Sequence, residues 1–174
     1  MNKLKRNLVL TGMMGSGKSA IGKSLSERLN MEFVDTDSII EKRLSLSVAE
    51  IFETKGEEFF RKIEVEEVIK LTEKKGFVIA LGGGAFINDI IRKKVKKLCF
   101  SVWLQLDIDE IFNRTKNNQK RPLLNISNSR EKLDKIYKER KEIYSMADYK
   151  IDCNKKNKNE IVEEIKKIYE NKQN

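Results

Sequence analysis

Apolar residues enter this chain in two rhythms. Leu8-Val9-Leu10, Phe33-Val34, Phe77-Val78-Ile79-Ala80-Leu81 and the stretch Cys99–Leu106 are short, nearly unbroken runs. Such runs suit strands covered on both faces, as in a parallel sheet. Elsewhere the apolar positions fall mostly three and four apart. Ile21, Leu25 and Leu29 predict a helix over 20–29, and Phe60, Ile63, Val65, Val68, Ile69 and Leu71 a longer one over 57–74. Leu133, Ile136, Tyr137 and Tyr144 predict another, from 129 or 130 to 146, and Val162, Ile165 and Tyr169 a last one. In each, the spacing gathers the apolar side chains on one helix face. Shorter helices are expected over 38–44, 88–97 and 107–114, and a last strand at Tyr149-Lys150-Ile151-Asp152. Ser47-Val48-Ala49-Glu50 has the form of a capping box and opens a further helix that Gly56 ends. Strands alternating with helices predict an α/β fold, a parallel sheet with helices on both faces.

Size and charge narrow the classes. A chain of 174 residues is expected to form one domain, 1–174, with one substantial core. No segment approaches the run of about 18 apolar residues that a membrane helix needs. Lys3, Lys5 and Arg6 precede an apolar run only a strand long, so no signal peptide is expected. Cys99 and Cys153 read as reduced, buried, small apolar residues of a cytoplasmic protein, with a disulfide as the lesser reading. With no histidine and no cysteine cluster, a transition-metal site is not expected, whereas a hard cation held by oxygens is compatible. The net charge of +9 invites a nucleic-acid reading. The lysines, however, are spread over nearly every helix among glutamates, and few aromatics interleave with them. Solvated helix faces and a general pull on small anions are the expectation.

Chemistry concentrates at strand ends. Gly12-Met13-Met14-Gly15-Ser16-Gly17-Lys18-Ser19 matches G-x-x-x-x-G-K-[ST] in full and lies between a predicted strand and a predicted helix. In that context backbone N–H groups wrap a polyphosphate at a helix N-terminus. Lys18 would reach the outer phosphates and Ser19 would ligate Mg²⁺. Asp35 and Asp37 follow the second strand and share a side if that strand persists. One would support the Mg²⁺ water shell and the other would accept from an attacking hydroxyl; alternatively, the aspartates cap the next helix. Gly82-Gly83-Gly84 ends the third strand and lets backbone approach a ligand closely. Arg61, Arg114, Arg121 and Arg140 stand out in a lysine-rich chain, because guanidinium forks grip carboxylate or phosphate at two points. Arg121 lies beside Pro122, the only proline, in the polar stretch 116–128, which reads as a mobile surface loop.

These pieces, in this order, resemble the shikimate kinases over nearly the whole chain. The matching segments are Gly12–Ser19, Asp35-Thr36-Asp37, Ser47–Phe60 running into Arg61-Lys62-Ile63-Glu64, and Leu81-Gly82-Gly83-Gly84-Ala85. Arg121-Pro122-Leu123-Leu124 and Arg140 with Tyr144 and Ala147 complete the set. The resemblance implies a P-loop fold of about five parallel strands in the order 2-3-1-4-5. It implies a substrate-binding helical segment near 37–64 and a mobile lid near 115–128. It also implies transfer of the ATP γ-phosphate to the 3-hydroxyl of shikimate, with Mg²⁺ as cofactor. Gly15, Ser16, Gly17, Lys18, Ser19, Ala20, Arg114 and Arg121 would then bind nucleotide. Asp37, Arg61, Gly82, Gly83, Gly84 and Arg140 would bind shikimate, with the two arginines on its carboxylate. Lys18, Asp37 and Arg121 would be catalytic, and Ser19 with Asp35, through water, would hold the metal. ATP and shikimate are the expected partners, with no nucleic acid and no membrane, in a cytoplasmic monomer. One departure is Cys153-Asn154-Lys155-Lys156, which lacks the proline that the family often places near the adenine.

Two other readings compete. Gluconate and nucleoside monophosphate kinases share the phosphate loop. The first usually carry a histidine soon after their acidic motif, and this chain has none. The second usually carry an Asp-Gly-Phe-Pro-Arg-like strand end, also absent. The charge leaves a nucleotide-dependent nucleic-acid-binding or regulatory protein as the reading from a different class.

Overall fold

The computed structural model describes residues 5–115 and 129–173. Five parallel strands, β1 (Leu8–Thr11), β2 (Glu32–Asp35), β3 (Phe77–Ala80), β4 (Phe100–Gln105) and β5 (Tyr149–Asp152), form one sheet in the order β2-β3-β1-β4-β5. This is the expected order. β1 lies at the centre, with Leu10 in register with Ala80 on one side and Val102 on the other. Leu8, Leu10, Val78, Ile79 and Val102 are fully buried, which is why their runs show no polar alternation.

The helices are α1 (Lys18–Leu29), α2 (Thr36–Leu44), α3 (Val48–Lys55), α4 (Glu57–Glu73) and α5 (Asp89–Leu98). They continue as α6 (Ile108–Thr115), α7 (Ser129–Tyr144) and α8 (Lys158–Gln173), with a turn of 3₁₀ helix at Ala85–Ile87. The capping box at Ser47 and Glu50 forms, and Gly56, at φ +85°, closes α3 and opens α4. Two starts differ from expectation by two residues, those of α5 and α6 by one. α1 begins at Lys18 rather than 20, because Gly17 turns the chain straight into the helix. α2 begins at Thr36 rather than 38, because the Asp35 carboxylate caps it.

Two apolar cores result. The larger joins the sheet to α1, α4, α5, α7 and α8. The smaller, Ile40, Ile51, Phe60 and Ile63, belongs to α2, α3 and α4 alone. Cys99 and Cys153 are free and buried as expected, and burial pushes their thiols up to about 11 and about 12. Among the described residues, no helix is long and apolar enough to cross a membrane. The stretch 116–128, with Arg121, lies outside the described residues.

Candidate active site

The glycine motif connects β1 to α1. Gly12 has φ +137°, and a Cβ there would lie 2.7 Å from the Leu104 carbonyl, so neither the backbone angle nor the space admits a side chain. Gly17 then delivers Lys18 as the first residue of α1. Lys18 is nearly buried, and its Nζ donates to the carbonyls of Gly12 at 2.9 Å and Met13 at 2.8 Å. Its ammonium is therefore tied across the loop it must serve. Gly15, Gly17, Ser19 and Ala20 line the adjoining cleft; Ser16 is buried beneath the loop and does not.

Asp35 divides its two oxygens. Oδ2 accepts from Ser19 Oγ at 2.5 Å, and Oδ1 accepts from the backbone N–H groups of Asp37 at 3.1 Å and Ser38 at 3.4 Å. The second pair is the cap of α2. The condition for Asp35 and Asp37 to share a side, a strand persisting to Asp37, is therefore not met, and for Asp35 the capping alternative holds. The strand ends at Asp35, and Asp37 enters the cleft from the first turn of a helix. Ser19 and Asp35 offer hard oxygen donors. That chemistry fits Mg²⁺, which commonly takes one or two carboxylates and completes its shell with phosphates and water. Among the described residues no cluster of three or more Asp, Glu, His or Cys could hold a metal without such help.

The opposite side is made of side chains from distant elements. Arg61 on α4 donates to Glu64 at 2.8 Å and to Glu57 at 2.9 Å, and its guanidinium lies over the rings of Phe60 and Phe52 at 5.3 and 5.9 Å. Arg140 on α7 donates to the Gly83 carbonyl at 3.3 Å. Both arginines line the same cleft of about 600 Å³ with Asp35, Asp37, Gly82, Gly83, Gly84 and Arg114. Arg114 stands at a more exposed position and pairs with Glu110 at 2.8 Å.

Gly82-Gly83-Gly84 has a use that composition did not reveal. A Cβ on Gly82 would lie 2.4 Å from Asp37 Oδ1 and 2.9 Å from Glu64 Oε1; on Gly84 it would lie 2.6 Å from an Arg61 nitrogen. The absent side chains make room for the site's own charged groups. The Gly82 N–H, meanwhile, donates to Thr36 Oγ1 at 2.9 Å and ties this turn to α2.

Glu64 is the residue whose weight the sequence concealed. Its side chain is 1% exposed, Oε2 pairs with Arg61, and Oε1 has no partner among the described residues. Burial pushes its carboxyl above the ordinary value, Asp37 adds to the rise, and Arg61 opposes it. Arg61 is shifted up as well: burial works against its charge, but Glu64 and Glu57 outweigh it. Glu64 closes the matching segment Arg61-Lys62-Ile63-Glu64 and stands at helical ion-pair spacing from Arg61, but nothing in the sequence marks the pair as buried. Tyr144 stood beside Arg140 in the matching set, but nothing in the sequence showed that its hydroxyl donates to the Gly83 carbonyl, at 2.5 Å.

The arrangement can hold an anion at Lys18 and the α1 N-terminus, a second anion between Arg61 and Arg140, and a hydroxyl against Asp37. The family description "Shikimate kinase" matches residues 14–170. A shikimate kinase from Sulfurihydrogenibium sp. (strain YO3AOP1) is 41% identical over 160 residues, covering 92% of this chain and 95% of the relative. The solved shikimate kinase from Acinetobacter baumannii, in complex with shikimate, superposes with a TM-score of 0.92 at 34% identity, covering 98% of this chain and 96% of that one. A gluconokinase from Sinorhizobium meliloti shares the fold alone, with a TM-score of 0.62 at 14% identity, covering 99% of this chain and 95% of that one. With the family match spanning nearly everything from the phosphate loop to the last helix, the chain belongs to the shikimate kinase family.

Proposed function

We propose that this chain transfers the γ-phosphate of ATP to the 3-hydroxyl of shikimate, giving shikimate 3-phosphate. The observation that carries the reading is one cleft lined at once by the phosphate loop, Asp37 and two arginines on separate helices. A small triol carboxylate asks for such a set: forks for the carboxylate and a carboxylate acceptor for hydroxyls. Arg61 and Arg140 clamp the shikimate carboxylate. Asp37 accepts from the ring hydroxyls and orients the attacking one, and Gly82, Gly83 and Gly84 line the ring. Gly15, Gly17, Ser19 and Ala20 wrap the phosphates with Ser16 bracing the loop from beneath, Lys18 follows the transferring group, Arg114 borders the adenine, and Arg121 approaches from the lid. Mg²⁺, held by Ser19 and through water by Asp35, supplies charge neutralisation on the phosphates when bound. Phosphoryl transfer has little covalent chemistry for a protein to perform, so positioning and charge are what these residues contribute. A cytoplasmic monomer completes the proposal; the two buried free thiols support the compartment.

The test is direct. Purified protein with ATP, Mg²⁺ and shikimate releases ADP, while gluconate and nucleoside monophosphates in the same plate do not support turnover. Absence of ADP release on shikimate across a range of pH and Mg²⁺ overturns the assignment. A pH–rate profile of Asp37→Asn then separates proton removal from orientation.

A further inference from the structure

Tyr144 stands at a junction that the reaction scheme does not use. Its side chain is fully buried at the C-terminal end of α7. The ring stacks on Trp103 of β4, with centroids 6.1 Å apart. Trp103 in turn lies 3.3 Å from where a Cβ on Gly12 would be. The Met13 sulfur is 3.7 Å from the phenol oxygen. Burial raises the phenol above its ordinary pKa, so it stays protonated and donates. It has one proton, and the Gly83 carbonyl at 2.5 Å takes it.

The same carbonyl accepts from Arg140 at the longer distance of 3.3 Å. Arg140 and Tyr144 are four residues apart on α7 and thus neighbours on one helix face. Gly83 is also fixed on its other side, because a Cβ there would meet the Met14 backbone nitrogen at 3.3 Å. The carbonyl has two lone pairs and two claimants, one short and neutral, one long and charged. The short one satisfies the acceptor. The phenol oxygen in turn accepts from the Arg140 guanidinium, so phenol and carbonyl together hold one edge of a fork that lines the cleft.

We propose that Tyr144 is a positioning residue for the acceptor: its phenol holds the Gly83 carbonyl and so keeps Arg140 directed at the acceptor's carboxylate. This rests on the reading of Arg140 as half of the carboxylate clamp. Without the phenol, Gly83 has only Arg140 to satisfy a half-buried carbonyl, and an unmet acceptor is costly enough to pull the arginine inward. Acceptor binding suffers while nucleotide binding does not.

Steady-state kinetics of Tyr144→Phe test this, with Arg140→Lys and the double variant alongside. Turnover of shikimate by the unaltered chain tests the underlying reading separately. Tyr144→Phe is expected to raise KM for shikimate about ten-fold. KM for ATP is expected to stay within about two-fold, and the double variant to lose less than the product of the single losses. An unchanged KM for shikimate, an equal rise for both substrates, or fully multiplicative losses each overturn the proposal. Circular dichroism checks the fold. Should the Phe variant not fold, 4-aminophenylalanine at position 144 keeps the ring and a donor. It is expected to hold KM for shikimate within about three-fold of the unaltered chain, and a rise shared equally with ATP overturns the proposal.

Discussion

The two ends of the cleft are built in opposite ways. The donor end is one contiguous octapeptide, Gly12–Ser19, whose form is set by positive backbone angles at Gly12, Gly15 and Gly17 and by the close approach of the Leu104 carbonyl to Gly12 and the Thr115 methyl to Gly15. The acceptor end is assembled from α2, α4, the turn after β3 and α7, and its form is set by charged side chains leaning on one another. A backbone-built site is local and tolerates little. A side-chain-built site is distributed, can yield at one contact without unfolding, and couples binding to stability through its buried charges.

The largest effect that probes this contrast comes from Arg61→Ala. Removing the fork is expected to weaken shikimate binding by about 2–5 kcal/mol, with ATP affinity kept. It also strands Glu64, buried with one orphan oxygen, so the fold is expected to lose about 3–5 kcal/mol in urea denaturation. The pH dependence identifies the cause. The Glu64 carboxyl is raised above its ordinary value of 4.5 by burial, so the folded state holds this proton more tightly than the unfolded chain does. Its effect on stability is therefore a loss that grows as pH rises from 4.5 through the raised value. The Arg61→Ala deficit should shrink as pH falls toward 4.5 and be largely relieved in Arg61→Ala/Glu64→Gln, which still binds shikimate poorly. A deficit equally large at both ends of that range removes the coupling argument.

Glycine substitutions separate the two ends next. Gly12→Ala meets a carbonyl that cannot move at a φ that alanine resists, so a stability loss of about 3 kcal/mol is expected by denaturation. Gly82→Ala meets the far ends of Asp37 and Glu64, which can swing away. Stability should hold within about 1 kcal/mol while turnover on shikimate falls about 100-fold, because Asp37 is displaced. Equal losses of stability in the two variants would erase the distinction.

The smallest effect tests the scaffold of the acceptor end. Ser47→Ala removes the α3 cap and is expected to cost about 1 kcal/mol, read as a lowered Tm. Glu50 is held below its ordinary 4.5 by its hydrogen bonds from Ser47. Its contribution is present above 4.5, is lost as pH falls through the lowered value, and should diminish in the variant.

Legibility followed the same division. The strands and the donor loop could be read because runs, spacing and glycines are local signals, whereas the strand order came only with the family resemblance. The start of α2 was misplaced because Asp35 stops the strand through a cap that either aspartate could have made. Arg61 and Arg140 were visible as arginines among lysines. Their separate helices could not be brought together by pattern alone. Glu64 closed a matching segment, but a glutamate among exposed glutamates on α4 looks solvated; that it is buried against Arg61 and beside Gly82 shows only in the structure. The resemblance set Tyr144 beside Arg140, but the core pattern of its ring says nothing of where its hydroxyl goes. Arg121 falls outside the described residues, so its lid role stands as proposed above.

The small separate core of Ile40, Ile51, Phe60 and Ile63 has a consequence for descent. α2, α3 and the first half of α4 bury apolar faces against one another away from the sheet, while the second half of α4 is anchored in the main core through Val68 and Leu71. Mutations that reshape the smaller core can accumulate without reopening the sheet, and those in the main core cannot. The acceptor end can therefore be reshaped through α2 and α3 while the phosphate loop, rooted in the sheet, is left as it stands.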